Sequence, residues 1–402
     1  HGSSDAYHYC TFDRKNSIKT KSENGKIEHP MEALSYQHNF SLITVILPKS
    51  NAEDILQKSL PSSLHTDIII NARGTLYKEK WYQQFTPSVS PEQRILEMLV
   101  PNHLKDALMD QIAIACKLDE NGIGAVYSIE CEKTFFLKQY DFNQSVSKIE
   151  GEILQYKDNL FGIYCTAQRN TADEIATAAI RAGSVGPTVV FGQGRGIRDR
   201  LGLLRIAISP EKEMIRLVVD NYDTEPVFEA MIQEGRLDTP GMGFIYIIPI
   251  QKGIVNIPST ATAKNELASR HQMIKAIDEI QGGSAWRIQS EKGIKKQRKY
   301  LNDLKRLTCV VERGQGDALI QSAMHAGAPG ASVTYGKESG GGQSRQGSSI
   351  TVNRELEIIE IILSPDAVDT IITEMLNTAK LKQLTDLYFY TQPVPKALTY
   401  LG

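Results

Sequence analysis

The chain has 402 residues, of which 41% are hydrophobic and 23% are charged. This composition suits several folded domains and excludes a predominantly disordered chain. The formal net charge of −2 excludes a whole-chain attraction to nucleic acid or to an anionic membrane. No apolar run approaches the roughly 18 residues that span a bilayer, and five scattered cysteines without a CxxC pair favour a reducing compartment. We therefore expect a cytoplasmic protein without a transmembrane segment.

Residues 1–38 are polar and show no sustained hydrophobic periodicity. We predict that they are disordered or foreign to the natural protein, with Met31 as a plausible native start.

The rest of the chain contains an internal repeat. AGSVGPTVVFGQGRG at 182–196 aligns without gaps on AGAPGASVTYGKESG at 326–340, an offset of 144. An earlier copy appears where 118–129 aligns on 237–248 at an offset of 119, and Arg73-Gly74 aligns on Arg195-Gly196 at an offset of 122. Several blocks in the same order predict three copies of one module.

Each copy alternates between the periods of strands and helices. In the second copy the predicted elements are, in chain order, a strand at 160–168, a helix at 171–183, strands at 188–194 and 214–221, a helix at 225–237 and a strand at 243–250. This βαββαβ order is that of a ferredoxin-like module, with two helices on one face of a four-stranded antiparallel sheet. The predicted α+β organisation is a domain at 39–135, a linker at 136–158, a domain at 159–254, a linker with helix around 268–280 at 255–302, and a domain at 303–402.

The strands carry apolar side chains on both faces, whereas a sheet with one wet face should alternate. Three sheets that pack around a common axis would bury the second face, so the sequence predicts an intramolecular pseudo-trimer. Three independent domains on a string remain the alternative.

The chain resembles the PII family, named for the nitrogen regulatory protein P-II, over about 40–135, 160–255 and 304–400. In that family a glycine-arginine stretch enters a mobile T-loop, a second glycine loop precedes the fourth strand, and adenine nucleotides lie between adjacent subunits. The resemblance implies a regulatory protein that binds AMP, ADP or ATP in interdomain clefts and controls an unknown protein partner.

The candidate nucleotide-binding residues occupy the matching positions of the first two copies. Glycines allow backbone N–H groups to approach phosphate oxygens, and a guanidinium adds a charged donor. A threonine near the start of the second strand contacts the base in PII proteins, although Ser and Thr also simply suit a strand start. The candidates are Arg73, Gly74, Gly122, Gly124, Thr188, Gly192, Gly194, Arg195, Gly241 and Gly243. Thr66 and Ser332 align with Thr188.

The third copy departs from this pattern, because Glu338 and Ser339 replace Gly194 and Arg195, and Thr385 and Leu387 replace Gly241 and Gly243. We expect weaker phosphate binding there. Three lysines that follow the fourth strands are either phosphate ligands or ordinary exposed side chains. They are Lys133, Lys252 and Lys396.

The second glycine loop lacks the lysine that the family carries there, which favours a mono- or diphosphate over ATP. The uridylylation motif of the T-loop is also missing, so a nitrogen-sensing role is unsupported. The three connectors differ chemically and could each contact a different surface of an asymmetric partner; they are 76–93, 197–213 and 341–355.

Neither a catalytic nor a metal-binding motif is present, and the histidines lack ligand spacing. We therefore predict a non-enzymatic regulator with no obligatory cofactor and no nucleic-acid partner, monomeric as a pseudo-trimer. The alternative is a scaffold that kept the trimeric core and lost nucleotide binding.

Overall fold

The computed structural model describes residues 35–50, 66–75, 91–120, 122–140, 142, 154–196, 211–257, 298–338 and 354–400. The chain divides into two compact units, His1–Ser35 and Tyr36–Gly402, and all the elements below belong to the second. We call the described parts of 36–142, 154–257 and 298–400 the first, second and third segments.

The described strands and helices alternate along the chain. The first segment has β1 (Phe40–Pro48), β2 (Asp67–Gly74), β3 (Glu92–Pro101), α1 (Asn102–Ala115), β4 (Gly124–Cys131) and β5 (Lys133–Phe136). The second has β6 (Leu160–Gln168), α2 (Ala172–Arg181), β7 (Thr188–Gly196), β8 (Glu211–Asp220), α3 (Asn221–Gly235), β9 (Gly243–Ile250) and β10 (Lys252–Asn256). The third has β11 (Leu301–Glu312), α4 (Gly316–His325), β12 (Gly330–Glu338), β13 (Glu355–Leu363), a 3-10 turn (Pro365–Ala367), α5 (Val368–Leu381) and β14 (Leu387–Thr399).

The fold is mixed α+β and is built mainly from antiparallel sheet, as predicted. The strand orders are β4-β1-β3-β2 in the first segment, β9-β6-β8-β7 in the second and β14-β11-β13-β12 in the third. Predictions for the helix between β1 and β2, for the helix at 268–280 and for most of the three connectors concern residues outside the described part.

Several predicted element boundaries were wrong in the second segment. The helix predicted at 225–237 begins at Asn221 and contains Pro226, although proline favours the first turn of a helix, where its missing N–H costs little. It ends before Arg236, whose φ of +48° stops the helical repeat. The strand predicted from Met214 begins at Glu211, because the polar residues 211–213 pair with the end of β7.

Pairing between segments closes on itself. β2 pairs with β7, β7 with β12 and β12 with β2, all antiparallel. The strand extensions form a second set of contacts, in which β10 pairs with β4, β5 with β14, and the end of β14 with β9. Residues of the predicted linkers therefore take part in sheet pairing, since β5 ends at Phe136 and β10 at Asn256.

The sheet faces are buried on both sides, as their apolar composition predicted. Along β1, Leu42 belongs to a central hydrophobic cluster that draws side chains from all three segments, whereas the neighbouring Ile43 packs in the cluster under α1. Successive residues of a strand point to opposite faces, so one strand supplies two cores. Among the described residues, every helix falls short of the length and apolarity that a membrane-spanning helix needs.

Candidate functional site

The second predicted glycine element lies where β9 begins against β6. Gly241 has φ +74° and Gly243 has φ +153°, both in the region that favours glycine. A Cβ atom on Gly243 would lie 2.2 Å from the carbonyl oxygen of Thr166. These glycines are therefore required by the turn and by close strand approach, whether or not a ligand binds.

The first predicted glycine element is not a loop. We predicted that the strand from Thr188 ends at Gly194, but β7 continues to Gly196 because it pairs with β12 of the third segment. Gly192 lies opposite Thr334, and a Cβ there would be 2.4 Å from the carbonyl oxygen of Val333. Gly192 thus serves strand packing, while Gly194 lies two residues nearer the sheet margin.

Lys212 connects the two glycine elements of the second segment. A Cβ on Gly194 would lie 3.1 Å from Cε of Lys212. The Lys212 Nζ donates to Oε1 of Gln168 at 3.1 Å, and Nε2 of Gln168 donates to the Gly241 carbonyl at 2.5 Å. We call Gln168, Gly194, Lys212, Gly241 and Gly243 the glycine cleft.

The third segment borders the glycine cleft. The Thr399 hydroxyl at the end of β14 donates to the Gly243 carbonyl at 3.0 Å. On the side of β7, Arg195 lies opposite Ala331 of β12. The glycine cleft is therefore a seam between the second and third segments, lined by a lysine that the sequence analysis had missed because it lies on β8 and outside both glycine motifs.

The two predicted phosphate-binding arginines form ion pairs across segment boundaries. Arg73 contacts Asp173 at 2.5 Å and the buried Glu213 at 3.4 Å. Arg195 contacts the exposed Asp317 at 3.3 Å.

One donor of the Arg195 side chain is unsatisfied among the described residues. Its Nε is buried and has no hydrogen-bond acceptor within the described part of the chain. An unsatisfied buried donor costs free energy. Because its ion pair with Asp317 is exposed and of the kind that contributes little to stability, Arg195 is better placed than Arg73 to exchange a carboxylate for a phosphate.

The strand registers correct two sequence alignments. In the pairing of β2 with β7, Arg73 lies opposite Val189. The pairs at the same position in the other two strand pairings between segments are Gln193 with Val333 and Lys337 with Ile69. The structural counterpart of Arg73 is therefore Gln193, two residues before Arg195. The alignment of Thr66 with Thr188 is also two residues out, because Ile68 holds the equivalent place on β2.

Thr188 lies inside the core rather than in a cleft. Thr188 is buried, and its hydroxyl donates to Oε1 of Gln93 at 2.9 Å. Gly74 lies opposite Thr188 in the same ladder, and its N–H donates to the Pro91 carbonyl. Neither residue is presented to a ligand.

In the first segment, the second glycine element is covered by β10. The N–H of Gly122 donates to the Asn256 carbonyl at 2.8 Å, and Asn256 Nδ2 donates to the Leu118 carbonyl at 2.6 Å. Gly124 lies tight against β1, as Gly243 does against β6. Gln93 holds the place of Lys212 in the ladder, so this segment supplies no equivalent cation.

The third segment fills the equivalent seam with its own and its neighbour's side chains. Arg354 donates to Asp386 at 2.6 Å, and the hydroxyl of Tyr140, from the first segment, donates to Asp386 at 2.6 Å. Burial raises the pKa of Asp386, but these two hydrogen bonds outweigh it and hold the pKa below its ordinary value. Tyr140 also packs against the rings of Phe136 and Phe142.

The three lysines that follow the fourth strands bind carboxylates of the neighbouring segment. Each reaches an acid in the first part of the helix that follows the third strand. The pairs are Lys133 with Asp369 at 2.7 Å, Lys252 with Asp106 at 2.9 Å and Lys396 with Glu225 at 2.6 Å. They act as inter-segment contacts in this structure and not as cations of the glycine cleft.

Within the described residues, no group of three or more His, Cys, Asp or Glu side chains is arranged to hold a metal ion. The described cysteines are buried, and burial raises the pKa of Cys116 to about 11 and that of Cys165 to about 12.

Comparison with known proteins adds little. No protein-family model matches the chain. No curated protein matches it either. Among solved structures, a chlorite dismutase from Candidatus Nitrospira defluvii carrying a point substitution is 10% identical, with 59% of this chain and 92% of that chain covered and a TM-score of 0.14. A likeness at that TM-score establishes neither a shared fold nor a shared activity.

Proposed function

We propose that this chain is a PII-like regulator, built from three tandem βαββαβ modules arranged as an intramolecular pseudo-trimer, that binds an adenine nucleotide in an interdomain cleft and reports the bound state to a protein partner. The cyclic pairing of β2, β7 and β12 supports the pseudo-trimer. The observation that carries the nucleotide site is the position of Lys212, which lies beside Gly194 and is linked through Gln168 to Gly241.

The glycine cleft between the second and third segments is the site that we assign to the nucleotide. Lys212 supplies a cation that Gln168 links to the Gly241 carbonyl. Such an arrangement suits the phosphates of AMP or ADP. The other two seams lack a counterpart of Lys212, so we expect one nucleotide per chain.

The T-loop-like connectors would carry the signal, because a loop ordered by ligand contacts is a sufficient switch. Deletion of residues 77–90 should abolish capture of the partner and leave the melting temperature of the core unchanged. An unaltered pull-down with the deleted chain would remove this connector from the proposal.

Isothermal titration calorimetry with AMP, ADP and ATP tests the site. We expect one site per chain, and Lys212→Met should weaken binding by about 10- to 100-fold, the worth of one charged hydrogen bond. Lys117→Met is the matched control, since Lys117 is an exposed lysine of the first segment. Equal affinity of the wild type and Lys212→Met would remove Lys212 from the site.

A scaffold that has lost nucleotide binding is the second candidate function. It is favoured by the filled seam at Asp386 and by the covered N–H of Gly122. A ligand present at 100 times its Kd stabilises a protein by about 2.7 kcal/mol. The absence of any melting shift with millimolar AMP, ADP or ATP would therefore favour the scaffold.

A further inference from the structure

A charged centre lies inside the central hydrophobic cluster, on the third strand of every segment. In each segment a tyrosine of the fourth strand lies opposite a residue of the first strand, and that residue lies opposite a charged residue of the third strand. The three sets are Tyr127, Thr44 and Glu97; Tyr246, Tyr164 and Arg216; and Tyr390, Thr308 and Glu360. Equivalent strand positions therefore carry two carboxylates and one guanidinium.

The guanidinium of Arg216 contacts both carboxylates directly. Arg216 Nη1 lies 2.6 Å from Glu97 Oε1, and its Nη2 lies 3.5 Å from Glu360 Oε1. The exposed side-chain fraction is 2% for Arg216, 4% for Glu97 and 10% for Glu360. Burial disfavours the charged form of Arg216, but the two carboxylates outweigh this and raise its pKa above the ordinary value.

A second guanidinium balances the remaining carboxylate. Arg306 Nη1 lies 3.1 Å from Glu360 Oε1, and its Nε donates to Gln392 Oε1 at 2.9 Å. The ladder counterparts of Arg306 are Leu42 and Gly162, so only the third segment carries this charge. With Glu97, Glu360, Arg216 and Arg306 ionised, the centre is neutral.

Side-chain size differs in the same layer. Tyr164 fills a place that is threonine in the other two segments, and both guanidinium groups lie over its ring, Arg216 at 5.4 Å and Arg306 at 5.0 Å from the centroid. A Cβ on Gly162 would lie 2.7 Å from Cε2 of Tyr164. Gly162 thus leaves the space that this single large ring occupies.

We propose that this centre determines which segments assemble. The sheet face of the second segment that packs in the central hydrophobic cluster would accept one first segment and one third segment, and would exclude another copy of the second segment. Three second-type faces would bring three arginines and three tyrosines together. Three first-type faces would bring three carboxylates together without a cation. Like charges in a buried site repel strongly, and overpacking adds strain. The proposal does not depend on nucleotide binding.

The full-length chain tests this proposal by charge reversal and charge exchange. Arg216→Glu places three carboxylates at the centre, and it should lower the melting temperature by about 10 °C at pH 7, well beyond the loss in the neutral variant Arg216→Gln. The loss should shrink on acidification to pH 5, because crowded carboxylates have raised pKa values and are stable only while protonated. The exchange variant Glu97→Arg with Arg216→Glu should recover at least half of the loss.

Two outcomes would overturn the proposal. One is a melting temperature for Arg216→Glu equal to that of Arg216→Gln at both pH values. The other is an exchange variant no more stable than Arg216→Glu; if Arg216→Glu yields no folded protein, failure of the exchange variant to yield a folded monomer has the same meaning. Arg313→Glu is the matched control, since Arg313 pairs with Glu355 on the exposed surface and its reversal should shift the melting temperature by less than about 2 °C.

Discussion

The glycine cleft of the second segment and the seam around Asp386 in the third segment occupy equivalent places and have opposite characters. In the second segment, glycines at 241 and 243 and a lysine on β8 leave backbone groups and a cation beside one another. In the third, Leu387 and Leu356 replace Gly243 and Lys212, and an arginine and a tyrosine bind Asp386. The same strand framework can thus place backbone groups beside a cation, as the proposed nucleotide site requires, or be closed by the protein's own side chains.

The closed seam should depend most on Tyr140. Tyr140→Ala removes a ring that packs against Phe136, Phe142 and Tyr388, and we expect a loss of about 3 kcal/mol in the free energy of unfolding. Urea denaturation measures it, and Tyr222→Ala, at a 59% exposed position, should stay within about 0.5 kcal/mol. Nucleotide binding at the emptied seam would contradict the comparison, because Leu356 provides no cation.

The glycine turn should tolerate substitution poorly. Gly243→Ala places a Cβ 2.2 Å from the Thr166 carbonyl at a φ of +153°, so we expect a loss of about 2 kcal/mol. Gly196→Ala is the control in the same segment, because a Cβ there meets nothing within 4 Å. Equal denaturation midpoints for the two variants would show that the turn is less constrained than its geometry indicates.

Acid should weaken the closed seam. The folded-state pKa of Asp386 is lowered by Tyr140 and Arg354 against the effect of burial, so its contribution is present above its ordinary pKa and is lost as pH falls through the lowered value. Asp386→Asn should be about 1 kcal/mol less stable than the wild type at pH 7, and the difference should shrink as the pH falls below the ordinary pKa of an aspartate. A difference that does not change with pH would remove the ionised carboxylate from the explanation.

The smallest effect is expected at the lysine–carboxylate pairs that connect neighbouring segments. Lys396→Met breaks the pair with Glu225, of which the carboxylate is 54% exposed, and should cost at most about 1 kcal/mol. Lys252→Met should cost a similar amount at the equivalent place. A much larger loss in one of these two variants would show that the three inter-segment contacts are not equivalent.

Sequence patterns predicted much of the fold and part of the site. The periodicity of 160–168 and 243–250 gave β6 and β9 to the residue, because these strands are bounded by turn residues and are apolar throughout. Helix α3 was misplaced by four residues at its start, since Pro226 lies inside it. Gly194 lies beside Lys212, which Gln168 links to Gly241, but Thr188 and Gly74 do not reach that seam.

The amino-acid order alone determined the strand and helix periods, the internal similarity and the apolar character of both sheet faces, because these properties follow from local spacing and from solvent avoidance. Tertiary structure decided which polar groups share a seam. Lys212 lies beside Gly194 and Gln168, and Arg216 lies between Glu97 and Glu360, only because antiparallel registers bring distant residues to the same layer. Register depends on how whole faces pack, and no short motif encodes it.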